Sequence, residues 1–156
     1  MGKTHRFAAE QFIPAPIDKV WDFMSSPNNL RHITPVSMQM EVLNNSADGA
    51  MYPGMIITYR VSPFALLRLG WVTEITHVEK LKYFVDEQRF GPFAFWHHKH
   101  FLEEKDAGVL MRDIVDYRLP MGWMGNLLGA ATVRKKLKEI FEFRKAALEN
   151  IFPSPK

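Results

Sequence analysis

"GNLLGAATVRKKLKEIFEFRKAALENI" (125–151) decides the fold. Leu127, Leu128, Ala131, Leu137, Ile140, Phe141 and Leu148 recur at helical spacing on one side, and the basic run Arg134, Lys135, Lys136 and Lys138 occupies the other. At about 1.5 Å per residue, a helix of this length crosses the full width of a small sheet. Its apolar side needs a partner of comparable extent.

The preceding residues supply one. From Val36 to about Arg118 the apolar period is two, interrupted by turn clusters at "NNSADG", "SPFALLRLG", "EKL", "FGPFA" and "EKDAG". Six strands joined by short loops form an antiparallel meander, because parallel neighbours need long crossovers. Further upstream, Phe7, Ala9 and Ile13 mark a strand that ends at Pro14 and Pro16. Pro16 opens a helix with an apolar stripe of Ile17, Val20, Trp21 and Met24. Ser26 as N-cap and Pro27 at the first position open a second, short helix that Pro35 stops. The order is strand, two helices, six strands and long helix. It predicts an α+β fold in which a curved antiparallel sheet of about seven strands wraps around the C-terminal helix. Residues 1–152 read as a single domain and 153–156 as a tail.

Charged residues sort the strand faces, because unpaired charge is rarely buried. Glu87 and Arg89 leave Phe84, Asp86, Gln88 and Phe90 inward; Lys99 leaves Trp96, His98, His100 and Leu102 inward and puts His97 at the surface. Arg112, Asp116 and Arg118 leave Met111, Asp113, Val115 and Tyr117 inward. The same logic turns Trp71, Thr73 and Ile75, and Met55, Ile57 and Tyr59, to the inside. Tight hairpins at "EKDAG" and "FGPFA" then set His100 opposite Asp113 and His98 opposite Asp86.

This polar cluster has three readings. H-x-H on a strand is a chelating spacing that Asp86 or Asp113 could complete, but with no third inward histidine the residues assign no metal. A His–Asp pair in an apolar cavity can act as general acid or base, which makes His98, His100 and Asp113 the catalytic candidates. The structural alternative is a buried network that holds strand register. The tryptophans are core fillers first and ligand contacts second. Met111, Met121 and Met124 would form an adaptable pocket mouth near the helix entrance.

The segments "IPAPIDKVWDFMSSPNNLRHITP" (13–35), "GWVTEIT" (70–76), "YFVDEQRFGPFAFWHHKHFLE" (83–103), "DIVDYRLPMGWMGNLLG" (113–129) and "LKEIFEFR" (137–144) resemble the START-like, or SRPBCC, superfamily of helix-grip proteins. That group includes pollen-allergen-type carriers and polyketide cyclases, and the resemblance is greatest to its bacterial ligand-binding branch. It implies a cavity between the sheet and the long helix. The W-x-H-x-H motif of Trp96, His98 and His100, with Asp113 and Tyr117, resembles the recurrent cavity-facing set. No catalytic role carries over with it, since fold does not choose function.

The expected ligand-binding set is therefore Trp71, Phe84, Asp86, Gln88, Trp96, His98, His100 and Asp113, joined by Tyr117, Met121 and Leu128. The expected function is binding, and in one version transport, of a small hydrophobic molecule such as a lipid, quinone or polyketide. The alternatives are a cyclase or dehydratase using a His–Asp pair and a protein-interaction module without an open cavity. Helix 27–34 and the "FGPFA" loop are the expected gate, and no cofactor is expected.

Composition narrows the remaining classes. A net charge of +3 over 156 residues, with one basic cluster on a helix face, does not point to nucleic acid. That cluster reads as a solvated face, with transient contact to an anionic membrane as the minority reading. The absence of cysteine excludes disulfides and thiolate chemistry. No signal-type segment or uninterrupted apolar span appears, so a cytoplasmic location is expected. Arg6 occupies the place where N-myristoylation of Gly2 wants Ser or Thr.

Overall fold

Two prolines separate the first strand from the first helix. The computed structural model describes residues 3–44, 49–64, 67–120 and 123–154, with the backbone alone at Phe64 and at 123–128. In it, β1 (His5–Ile13) leads into α1 (Ile17–Met24), with Pro16 at the N-cap rather than in the first turn. The Pro16 carbonyl accepts the Val20 N–H at 3.1 Å, so the proline's missing donor costs the helix nothing. Residues Pro27–Ile33 wind as a 3-10 helix. Ser26 caps it through its carbonyl, which accepts from Asn29 N–H at 3.1 Å, and its side chain makes no cap bond. A second short 3-10 turn, Val36–Met38, precedes the sheet.

The remaining strands are β2 (Glu41–Val42), β3 (Met55–Phe64), β4 (Leu67–Glu79), β5 (Tyr83–Phe90), β6 (Phe95–Lys105) and β7 (Gly108–Arg118), followed by α2 (Trp123–Ile151). They form one antiparallel sheet in the order β1-β7-β6-β5-β4-β3-β2, so the first strand pairs with the last. β3 and β4 run well into the stretch read as a turn at "SPFALLRLG", and their connection at 65–66 lies outside the described residues. Asp106 adopts φ 53° at the β6–β7 hairpin, a left-handed conformation that Asp tolerates better than most residues.

Alternation predicts the inner face of the strands except at one place. Phe90 is 68% exposed rather than inward. Val72 pairs with Phe90 but Thr73 pairs with Gln88, so Arg89 is an extra residue, and this bulge inverts the side-chain order beyond it.

α2 differs from the continuous helix expected from Gly125. It starts at Trp123 and breaks at Gly129, where φ is 49° and ψ is 152°. Glycine reaches this backbone region without the clash that a Cβ would bring. Beyond the break, Val133, Leu137, Phe141 and Leu148 are buried, Ile140 is half-buried, and Ala131, expected inside, is exposed. Val133, Leu137 and Phe141 pack on Val115 and Tyr117 of β7. Leu148 joins a second cluster with Val20, Trp21 and Met24 of α1 and Met111 of β7. Met111 is therefore core rather than pocket mouth; Met121 lies outside the described residues, as does the side chain of Met124. A third cluster, Met55, Ile57, Tyr59, Val61 and Ile75, covers the β3–β4 end. Among the described residues no helix is long and apolar enough to cross a membrane.

Candidate functional site

The three clusters leave a space between the sheet, the Pro27–Ile33 turn and α2. It encloses about 200 Å³, with walls that are mostly apolar: Leu30, Tyr59, Leu69, Trp71, Phe93, Trp96 and Phe141 among them. Trp71 meets Trp96 edge to face at 5.2 Å between ring centroids, and Phe93 packs against both rings. Such edge-to-face and tilted aromatic contacts make a stiff wall, since each ring holds the next.

Polar groups enter this space from the middle of the sheet. The register places Asp86 against His98 across β5–β6 and His100 against Asp113 across β6–β7, as the hairpin reading predicts. The shortest side-chain bonds run diagonally. His100 Nε2 lies 2.8 Å from Asp86 Oδ2, and His98 Nε2 lies 2.8 Å from Asp113 Oδ1. The other ring nitrogens close the set: His98 Nδ1 is 3.4 Å from Asp86 Oδ2, and His100 Nδ1 is 2.9 Å from Asp113 Oδ1, off the line of a hydrogen bond. The two imidazoles lie 3.7 Å apart between centroids, and His100 stacks on Phe84.

Arg144 of α2 completes the cluster. Its Nη1 donates to Asp113 Oδ1 at 3.2 Å, and its guanidinium lies over the Phe141 ring at 4.7 Å. Burial opposes charge on every member, but the pairing decides the outcome. Burial pushes Asp113 up, yet the bonds from His100 and His98 and the charge of Arg144 hold it far below the ordinary 3.8. Burial likewise pushes Asp86 up, and the charge of His98, the bond from His100 and a bond from Trp96 bring it below that value. The histidines separate. Burial and the charge of His100 depress His98, whereas His100 rises because its contacts with both carboxylates outweigh burial. Burial and the charge of Asp86 push the Tyr59 phenol up, so it stays neutral.

Of the residues expected at the site, Trp71, Phe84, Asp86, Trp96, His98 and His100 line the cavity. Asp113 stands behind the histidines and faces a groove between β1 and α2 instead, while Arg144 reaches both spaces. Tyr117, 2% exposed, lies beneath Phe93 and stacks on His5, away from the lining. Gln88 grips the "FGPFA" loop: its Nε2 donates to Phe93 O at 2.7 Å and its Oε1 accepts from Phe93 N at 3.2 Å. Met121 and the side chain of Leu128 lie outside the described residues. His97 faces the outer side, where its Nδ1 is 3.1 Å from Glu87.

Arg144 escapes a reading that treats every charge as outward. Its spacing gives it away, because Leu137, Phe141, Arg144 and Leu148 fall at i, i+4, i+7 and i+11. Among the described residues, the methionines at the cavity are Met24, Met38, Met40 and Met51.

No protein-family model and no curated protein sequence matches the chain. Solved structures do. Protein TTHA0849 from Thermus thermophilus is similar at a TM-score of 0.68 and 16% identity, over 94% of this chain and 99% of that one. Ara h 8.0201 gives 0.69 and 14%, over 96% and 98%. The Zhui aromatase/cyclase from Streptomyces sp. R1128 gives 0.68 and 15%, over 95% and 90%. At these identities the likeness is one of fold, and it extends over nearly the whole of each chain.

Proposed function

We propose that this helix-grip chain binds a small, mainly apolar molecule in the cavity between its sheet and α2, and that it does so as a carrier. One observation carries the reading: a mostly apolar, aromatic-walled space meets a compact cluster of buried polar groups at the sheet, the arrangement that buries a ligand's body and orients a polar end. Trp71, Phe93 and Trp96 would hold the body, and Asp86, His98 and His100 the polar end. The volume of about 200 Å³ lies below the roughly 300–1,000 Å³ common for drug-sized ligands. A larger lipid, quinone or polyketide would therefore enter only as the Phe93 loop or the Pro27–Ile33 turn moves outward. Both segments border the space.

An enzyme of cyclase or dehydratase type is the second reading, favoured by two buried histidines at the cavity that each meet a carboxylate at 2.8 Å. Likeness of fold to an aromatase/cyclase is compatible with it but does not choose it. Native mass spectrometry of the gently purified protein, followed by displacement of a fluorescent fatty-acid analogue, tests binding. A stoichiometric organic adduct or saturable displacement is expected; neither, together with an Ile140→Trp variant that behaves like the parent, overturns the reading. Against a panel of candidate polyketides, His98→Ala separates the two functions: a carrier loses affinity and shows no turnover, whereas an enzyme loses turnover and keeps its affinity.

A further inference from the structure

Three donor atoms converge on the cavity side of the polar cluster. Asp86 Oδ2 lies 2.8 Å from His100 Nε2 and 3.4 Å from His98 Nδ1, and the three groups each offer an atom within 4.8 Å of the others. Those two separations match edges of a coordination polyhedron: with bonds of about 2.0–2.1 Å, ligand atoms stand about 2.9 Å apart in an octahedron and about 3.4 Å in a tetrahedron.

We propose that Asp86, His98 and His100 form a mononuclear site for a divalent transition-metal ion at the cavity wall. The support comes from the far side of the rings. The nitrogens turned away from Asp86, His98 Nε2 and His100 Nδ1, lie 2.8 and 2.9 Å from one oxygen of Asp113. One carboxylate thus backs both imidazoles, and Arg144 holds it at 3.2 Å. A carboxylate behind a ligating histidine sets the tautomer and raises the ligand's basicity. The His98 bond is already aligned for this, and His100 Nδ1 stands at bonding distance from the same oxygen. A network serving strand register alone has no need for both outward nitrogens to share one anchor while both inward nitrogens share another.

The donor set selects the metal class. Two imidazoles and one carboxylate suit zinc, cobalt, nickel or ferrous iron, and the ligands stand on neighbouring central strands, where small displacements are resisted. With both imidazoles neutral, the ion and Arg144 outweigh the two carboxylates by one positive charge. The open side faces the cavity, so the group that completes the coordination is an anionic oxygen: hydroxide, or a carboxylate, enolate or phenolate on a bound molecule. The site is independent of whether the cavity takes an apolar ligand.

Cobalt(II) is the probe. Chelator-washed full-length protein titrated with cobalt chloride is expected to develop d–d absorption that saturates at one equivalent and that zinc chloride abolishes. The cobalt form is expected to show two exchangeable, paramagnetically shifted imidazole N–H resonances, from His98 Nε2 and His100 Nδ1; this readout needs no variant. Asp86→Asn and His98→Ala should weaken cobalt binding at least 100-fold. Asp113→Asn should weaken it about 10- to 100-fold, and His97→Ala should leave it unchanged. Absence of saturable absorption at equimolar metal overturns the proposal, and so does absorption that survives Asp86→Asn but disappears in His97→Ala.

Discussion

Arg144 and Asp113 join the helix to the sheet through a bond in which both partners are buried: Nη1 lies 3.2 Å from Oδ1, with side-chain exposures of 8% and 3%. Removing Arg144 takes away the guanidinium and leaves the buried Asp113 carboxylate to the two histidines alone. Arg144→Met is therefore expected to lower stability by about 3–5 kcal/mol. Arg144→Met combined with Asp113→Asn should recover part of the loss, because the buried negative charge goes, although the charge-assisted His98 bond weakens with it. Urea denaturation of the parent and the two variants checks this, and a double variant less stable than Arg144→Met would contradict it.

Gln88 governs the Phe93 loop. Its side chain closes a ring of two hydrogen bonds with the Phe93 backbone, and Phe93 stands against both Trp71 and Trp96. Gln88→Ala removes both bonds, at about 1–3 kcal/mol of local stability. If the loop is the gate, a fluorescent fatty-acid probe should associate and dissociate faster in Gln88→Ala while its equilibrium affinity changes less. Stopped-flow fluorescence reads both rates; unchanged rates would move the gate to the Pro27–Ile33 turn.

The break in α2 belongs to Gly129. Among the described residues nothing lies within 4 Å of a Cβ added there, so the obstacle to substitution that they present is the backbone itself. At φ 49° and ψ 152°, Gly129→Ala should cost about 1–3 kcal/mol. Thermal unfolding measures the loss. A variant as stable as the parent would mean that the helix runs straight through 129 at no expense.

Much of this is legible from period and charge. Alternation places Asp86, His98, His100 and Asp113 on one face, and two hairpins set their pairing, because a buried sheet face admits only one register. Phe90 departs from the alternation because a bulge changes parity without leaving a local mark; Arg89 resembles any other outward arginine. Arg144 is half-legible: its spacing puts it on the apolar stripe, but the partner that permits its burial stands 31 positions away and leaves no trace in a hydropathy pattern. Gln88 belongs near the cavity strands on either reading, but no residue pattern distinguishes an amide that holds a loop from one that contacts a ligand.

Outside the polar cluster, Asp116 should dominate one part of the acid response. It accepts from Arg6 Nε at 2.6 Å and from Lys99 Nζ at 3.0 Å, and these bonds hold its carboxyl below the ordinary 3.8. A depressed folded-state value means that the stabilisation is present above the unfolded value and is lost as pH falls through the folded one. Asp116→Asn is thus expected to lower the melting temperature at pH 7. The gap from the parent should narrow once the pH drops below about 3.8. A gap constant from pH 7 to pH 2 would assign the loss to packing.

The pairing of β1 with β7 also orders events in time. Phe7 stands beside Val115, and Arg6 bonds Asp116 across 110 positions. At roughly 5–20 residues per second, a ribosome needs some 5–20 seconds to travel between those partners. Throughout that interval the earliest-made strand has no neighbour to hydrogen-bond, and the closing of so long a loop makes assembly slow. Nascent chains arrested at successive lengths should leave residues 5–13 open to protease until β7 has cleared the exit tunnel. The first strand of the sheet to be synthesised then waits for the last one to be made.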